Sequence, residues 1–147
     1  MNDDLFFLGI KAIVLDSDKR VLLLKASSIT RSGYKRQPYW DLPGGRMQKG
    51  DTVESALRRE VEEETGIANV TTFEPFSMVL SNQRTTSGDD SRGIVLSAYI
   101  CRVEKVENIR LSDEHTEYKW VSLQEASDLL RVKYPETFIS RLTEILK

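Results

Sequence analysis

Four carboxylates fall within five residues, at Glu60, Glu62, Glu63 and Glu64, and a turn marked by Gly44, Gly45 and Gly50 comes shortly before them. No other stretch constrains the chain as strongly. Residues Thr52 to Thr65 read as a helix, with Asp51 or Thr52 as N-cap, Glu54 in the first turn and Gly66 as C-cap. At about 100° per residue, Val53, Ala56, Leu57 and Val61 form one apolar stripe. Glu54, Ser55, Arg58 and Glu62 fall on the opposite side. Glu60 and Glu64, however, lie inside the apolar stripe, and Glu63 lies at its edge beside Ala56. The i+3 and i+4 spacings put Glu60, Glu63 and Glu64 on one face.

Like charges at that spacing repel, and burying a carboxylate without a partner costs on the order of several kcal/mol. A hard divalent cation such as Mg²⁺ removes the conflict, because it takes carboxylate oxygens together with substrate phosphates and water. Arg59 is placed to neutralise one acid or to brace the preceding loop. The plainer alternative is an ordinary helix with an acidic solvated face. That would set the acids opposite Ala56 and Leu57, whereas they stand among them.

The segment resembles the signature of the Nudix (MutT-like) hydrolases, G-x5-E-x7-R-E-U-x-E-E-x-G-U, where U is a bulky aliphatic residue. Gly45, Arg59, Glu60, Val61, Glu63, Glu64, Gly66 and Ile67 match at the required spacings, eight of nine specified positions. Asp51 stands where the family has Glu. The approach Trp40-Asp41-Leu42-Pro43-Gly44 is also similar to the family's.

The resemblance implies a single domain over residues 1–147, with the signature at 45–67. It implies an α/β/α sandwich around a central mixed β-sheet. The implied activity is hydrolysis of a nucleoside diphosphate linked to another group, by attack of water on phosphorus. Glu60, Glu63 and Glu64 would then bind Mg²⁺ or Mn²⁺, with the Gly44 carbonyl as a further ligand. Glu60 is the general-base candidate, and Glu63 and Glu114 are assigned supporting catalytic roles. Glu114, six residues before Trp120, stands near where MutT-like proteins carry a further metal-binding or basic glutamate; Glu117 is its rival. Gly45, Asp51, Arg59 and Gly66 form the structural frame of the signature. Asp51, one methylene short of Glu, is expected to brace the loop more weakly through Arg59. Gln48 replaces an acid that many members carry.

Composition sets outer limits. A chain of 147 residues can bury a real core. Lys+Arg 21 against Asp+Glu 23, a net charge of −2, argues against a nucleic-acid binder relying on a broad basic field. A small nucleotide substrate remains compatible, because a cation neutralises phosphates locally. Cys101 is the only cysteine, so no intrachain disulfide forms, which suits a reducing cytoplasm. The acidic start and Lys11 within the first apolar run argue against a signal peptide, and no run approaches membrane-spanning length. Homodimers are common in the family and one is allowed for, although no surface patch can be assigned from sequence.

Along the chain, Phe6 to Leu15 and Val21 to Leu24 read as strands around an Asp16–Lys19 turn. A basic loop over Ser27 to Pro38 leads to a short strand at Tyr39 to Leu42. Val70 to Ser81 and Gly93 to Val103 read as two more strands, joined by a mobile-looking hairpin loop over Asn82 to Arg92. Tyr118 to Val121 is another. Ser122 caps a helix over Leu123 to Leu130, with Glu125 completing a capping box. Pro135 starts a last helix that buries Phe138, Ile139, Leu142, Ile145 and Leu146.

Substrate contacts are expected from Arg36, Arg84 and the Gly45 backbone. Lys25, Arg31, Lys35 and Arg92 are further candidates for distal phosphates, and Tyr34, Tyr39 and Phe76 for stacking on a base. His115, the only histidine, reads as a loop residue. A nucleoside triphosphate, including an oxidised one, is the first expectation for substrate. Dinucleoside polyphosphates and nucleotide sugars come next. ADP-ribose is weakened because Ser81 stands where those members carry proline. A nucleotide-sensing module without turnover is the reading from another class, but such modules usually lose a signature glutamate, and all three are present here.

Overall fold

The computed structural model describes residues 2–29, 33, 35–87, 90–104, 106 and 108–145. Arg31, Tyr34 and Leu146 fall outside them.

The longest apolar alternation near the start becomes β1 (Phe6–Leu15), which turns back into β2 (Val21–Ala26). Short strands β3 (Trp40–Asp41) and β4 (Gly44–Arg46) lead to helix α1 (Val53–Thr65). Then come β5 (Glu74–Leu80), β6 (Thr85–Ser87), β7 (Asp90–Arg102) and β8 (His115–Val121), followed by α2 (Leu123–Leu130) and α3 (Glu136–Leu142). The strands form one mixed sheet with the path β3-β2-β1-β7-β5; β4 pairs with β1, β6 with β7 and β8 with β2. Among the described residues, only β1 and β7 pair in parallel, in register from Phe6–Gly93 to Leu15–Arg102.

Successive residues of β1 supply opposite faces of the sheet, as strand geometry requires. Ile13 and Leu15 join Val21, Leu23, Leu130, Tyr134, Phe138 and Leu142 under α2 and α3. Ile10, Ala12 and Val14 join Leu22, Leu24, Ala56, Leu57 and Val61 under α1. Helices thus cover both faces, the sandwich expected. No helix among the described residues is long and apolar enough to cross a membrane.

Several boundaries differ from expectation for local reasons. The 82–92 segment is a hairpin as expected, with strand pairing inside it. Thr85 to Ser87 pair with Asp90 to Arg92 as a hairpin, and Arg84 ties across to Ser91 through its Nε at 2.9 Å. The strand after α1 begins at Glu74, not Val70, since Val70 is buried beneath α1 while Thr71 bonds the end of β7. Glu125 does not complete a capping box on α2. Ser122 accepts from the Glu125 amide at 3.1 Å, but the Glu125 carboxylate reaches Lys119 at 3.7 Å. The full box is on α1, where Thr52 and Ser55 exchange side-chain-to-backbone bonds.

Candidate active site

Two strands and one helix bring the signature together. β4 pairs with β1, setting Gly44 opposite Lys11 and Gly45 opposite Ile10. Bonds from Ala12 N to Pro43 O (2.8 Å) and from Met47 N to Leu8 O (2.9 Å) fasten the loop on both sides. This approach leaves no room for side chains. A Cβ on Gly44 would lie 2.0 Å from the Ile10 carbonyl oxygen, and one on Gly45 would lie 2.6 Å from the Glu60 carboxylate. The close packing of Gly45 is therefore what allows Glu60 to reach the loop.

Helix α1 presents the acids as the wheel predicts. Glu64 is only 4% exposed, inside the stripe with Ala56, Leu57 and Val61. Glu60 is half-buried and Glu63 exposed. Glu64 Oε1 accepts from the Gly44 amide at 2.6 Å, tying helix to loop across the site. Burial drives the Glu64 carboxyl up to about 8, opposed by Lys11 and the Gly44 amide and reinforced by Glu60 and Asp41. Burial and then the Glu63 charge raise Glu60, against Arg59, with Glu114 adding to the rise. Glu60, Glu63 and Glu114 thus act on one another through their charges.

Asp51 braces the loop fully despite its shorter side chain. Its two oxygens accept from Arg59 Nη1 at 2.6 Å and Nη2 at 3.1 Å, and its Oδ2 also takes the Gln48 amide at 2.8 Å. The bidentate geometry is the strong form of this pair. The Arg59 guanidinium also lies 3.5 Å from Glu60 Oε1, so it serves both roles proposed for it. Both Asp51 oxygens thus engage Arg59 despite the missing methylene, and Gly50 just before it adopts a left-handed φ of 91°. Gly66 closes α1 in the left-handed region at φ 79°.

Glu114 reaches the site from the other side of the sheet edge. Its carbonyl accepts from Ser27 N at 3.0 Å, just before β8 pairs with β2. Ligand atoms of Glu64, Glu114 and His115 lie within 4.8 Å of one another. His115 is not a loop residue; it opens β8 with its side chain 9% exposed, and Nδ1 lies 3.4 Å from Glu64 Oε2. Glu117 points elsewhere and pairs with Lys25 at 3.0 Å, which removes it as the rival to Glu114.

The proposed substrate residues divide. Arg36 bonds the Ser27 carbonyl at 2.8 Å and, with Ser28, Ile29, Lys35 and Gln37, lines an open depression of about 440 Å³. This depression adjoins the loop that holds Glu114. Arg84 instead bridges Asp4 at 3.1 Å and the Ser91 carbonyl at 2.9 Å, bracing the β6–β7 hairpin. Phe76 is core, edge-on to Phe138 at 5.4 Å, while Tyr39 lies under the Arg36 guanidinium.

A buried ionic network was not foreseen. Asp41 accepts from Lys11 at 3.0 Å, Lys133 at 2.7 Å and Tyr134 at 2.6 Å, all with little exposure. The two ammonium groups hold the Asp41 carboxyl far below its ordinary range, against desolvation. Burial lowers Lys133 to about 8. The network pins β3, β1 and the α2–α3 connection behind the glycine loop. Lys11, a charge interrupting an apolar strand, was its one sequence signal.

A mixed sheet between helices, with a glycine loop docked on an acid-bearing helix, is the MutT-type α/β fold. A MutT protein structure from Methanosarcina mazei superposes with a TM-score of 0.77, at 24% identity, over 100% of this chain and 99% of that one. The chain belongs to the NUDIX domain family, whose model matches residues 6–142. A Bacillus subtilis protein provisionally named as an 8-oxo-dGTP diphosphatase is 41% identical over 58 residues, 40% of this chain and 34% of that protein. An RNA pyrophosphohydrolase from Pelagibacter ubique is 23% identical over 133 residues, covering 83% of this chain and 80% of that protein. The chain thus spans about a third of the first relative's length and most of the second's.

Proposed function

We propose that the chain is a metal-dependent pyrophosphohydrolase acting on a nucleoside triphosphate, including oxidised forms. The observation that carries this reading is the buried Glu64, tied to the Gly44 amide and gathered with Glu114 and the His115 imidazole so that their ligand atoms lie within 4.8 Å of one another. The donor set fits a divalent ion. Carboxylates at Glu60, Glu63, Glu64 and Glu114 and the Gly44 carbonyl are hard oxygen donors, and the orphaned His115 Nδ1 is a polar atom in need of a partner. Held there, Mg²⁺ or Mn²⁺ supplies neutralisation of phosphate charge and a lowered pKa for water.

The chain's own residues supply the rest. Glu60, raised by burial, is a stronger base than a free carboxylate and takes the proton from the attacking water. The charges of Glu63 and Glu114 strengthen that basicity, and the Arg59 guanidinium lies 3.5 Å from Glu60 Oε1. Arg36 and Lys35 line the depression beside Glu114, where they meet the outer part of the substrate. Attack on phosphorus then releases the nucleotide from its phosphate partner.

The substrate is read from a hydrolysis panel in Mg²⁺ and in Mn²⁺. It includes unmodified and oxidised nucleoside triphosphates, ADP-ribose, diadenosine polyphosphates, nucleotide sugars and 5′-triphosphorylated RNA. Preferential cleavage of a triphosphate supports the proposal. Preference for ADP-ribose, a dinucleotide or RNA ends reassigns the substrate. Binding without any cleavage replaces the enzyme with a nucleotide sensor.

A further inference from the structure

The sheet register puts His115 opposite Ala26 at the point where β2 and β8 shift out of step. There the first residue of β8 faces Glu64 of α1. The imidazole is more than nine-tenths buried, and its Nδ1 makes no hydrogen bond. It faces Glu64 Oε2 at 3.4 Å, with Glu114 completing a trio of donors within 4.8 Å.

A buried nitrogen against a buried carboxylate oxygen needs something positive between them. A shared proton would draw the pair to about 2.8 Å with a straight bond. The 3.4 Å separation without hydrogen-bond geometry does not match that arrangement. It does match two ligands of one ion: donors about 2.1 Å from a common cation sit about 3.0–3.4 Å apart.

We propose that His115 supplies Nδ1 as a nitrogen ligand to the divalent-cation site, making it a mixed nitrogen–oxygen centre that favours Mn²⁺ over Mg²⁺. Imidazole suits first-row transition ions, whereas Mg²⁺ strongly prefers oxygen. The inference rests on the metal-dependent reading above. It adds a ligand outside the glutamate signature and a preference among ions.

The test is pulsed EPR on untagged protein loaded with Mn²⁺ alone, with no nucleotide. His115 is the only histidine, so ¹⁵N-histidine labelling marks a single imidazole. The expected result is a ¹⁴N coupling that changes to a ¹⁵N pattern on labelling and disappears in His115→Gln. Mn²⁺ affinity, measured by calorimetry, should fall about 10–100-fold in that variant, with Mg²⁺ affinity changed by less than about threefold. Mn²⁺ bound without histidine coupling in the unsubstituted protein overturns the inference and leaves the glutamate site standing. Protein that binds no Mn²⁺ overturns both. The spectrum of the unsubstituted protein decides the matter even if His115→Gln fails to fold.

Discussion

Adding one methyl group at Gly45 should separate catalysis from folding. A Cβ there meets Cδ, Oε1 and Oε2 of Glu60 at 2.6, 2.6 and 2.7 Å. Ordinary contact begins at 3.4 Å, so the carboxylate must retreat by about 0.8 Å. The obstacle is the far end of a flexible side chain, and the change of rotamer costs about 1 kcal/mol. Gly45→Ala should therefore fold, with Tm lowered by less than about 5 °C. A displacement approaching 1 Å at the reacting centre costs about 100-fold in rate. The expected loss in kcat/KM is of that size, in a continuous assay of pyrophosphate or phosphate release. Gly44→Ala is the contrasting case. Its Cβ would lie 2.0 Å from the Ile10 carbonyl oxygen and 2.9 Å from Lys11 Cα, and backbone in a paired strand cannot retreat. It should lose about 3 kcal/mol or more in urea denaturation. Unimpaired turnover in Gly45→Ala would refute the placement of Glu60 against the loop. Equal destabilisation by the two variants would refute the distinction between side-chain and backbone clash.

Three further outcomes follow from the same geometry. Asp41→Asn leaves Lys11 and Lys133 buried without their counter-charge, and should cost about 3–5 kcal/mol by chemical denaturation. Asp51→Ala frees the Arg59 guanidinium and the Gln48 amide together, and should lower kcat/KM by about tenfold, with Asp51→Glu restoring most of it. In the metal-free protein, Glu64 is raised from 4.5 to about 8, so the folded state holds a proton that the unfolded chain gives up earlier. Stability from that neutral carboxyl is fully present below 4.5 and is lost as pH rises through about 8. The Tm difference between Mg²⁺ and EDTA should therefore widen steadily over that upper range, in differential scanning calorimetry. His115, lowered from 6.5 to about 4, titrates below that window and does not mask it.

How far the sequence foretold this arrangement depends on whether the cause was local or distant. The helix, its C-cap and the inward placement of Glu64 followed from spacing, because a helical period is a local rule. The α/β/α layering followed from a resemblance carried by a short signature; the strand pattern alone suggested only a mixed sheet with helices. What escaped is tertiary. The pairing of β4 with β1 required three glycine-loop residues to act as strand, which only docking on Lys11 and Ile10 makes favourable. The Asp41 network joins residues up to 93 positions apart, and no local pattern announces such a meeting. His115 was read as loop because the strand signal began at Tyr118; pairing with Lys25 and Ala26 of β2 extends β8 back to it. The bond from Arg84 to Ser91 across its hairpin likewise depends on strand pairing that no local pattern announces.

On the proposed function, buried Glu64 serves a cation, and through it hydrolysis, while contributing nothing as a charge to the fold. Single-turnover hydrolysis of the preferred nucleotide by Glu64→Gln, in Mg²⁺ and in EDTA, tests it most directly. Glutamine mimics the protonated carboxyl and can keep the bond from the Gly44 amide, so its Tm in EDTA at neutral pH should match that of the unsubstituted protein. Turnover should fall by about 100-fold or more, to a level that Mg²⁺ no longer raises. A folded Glu64→Gln protein that still responds to Mg²⁺ with near-normal turnover would contradict the account.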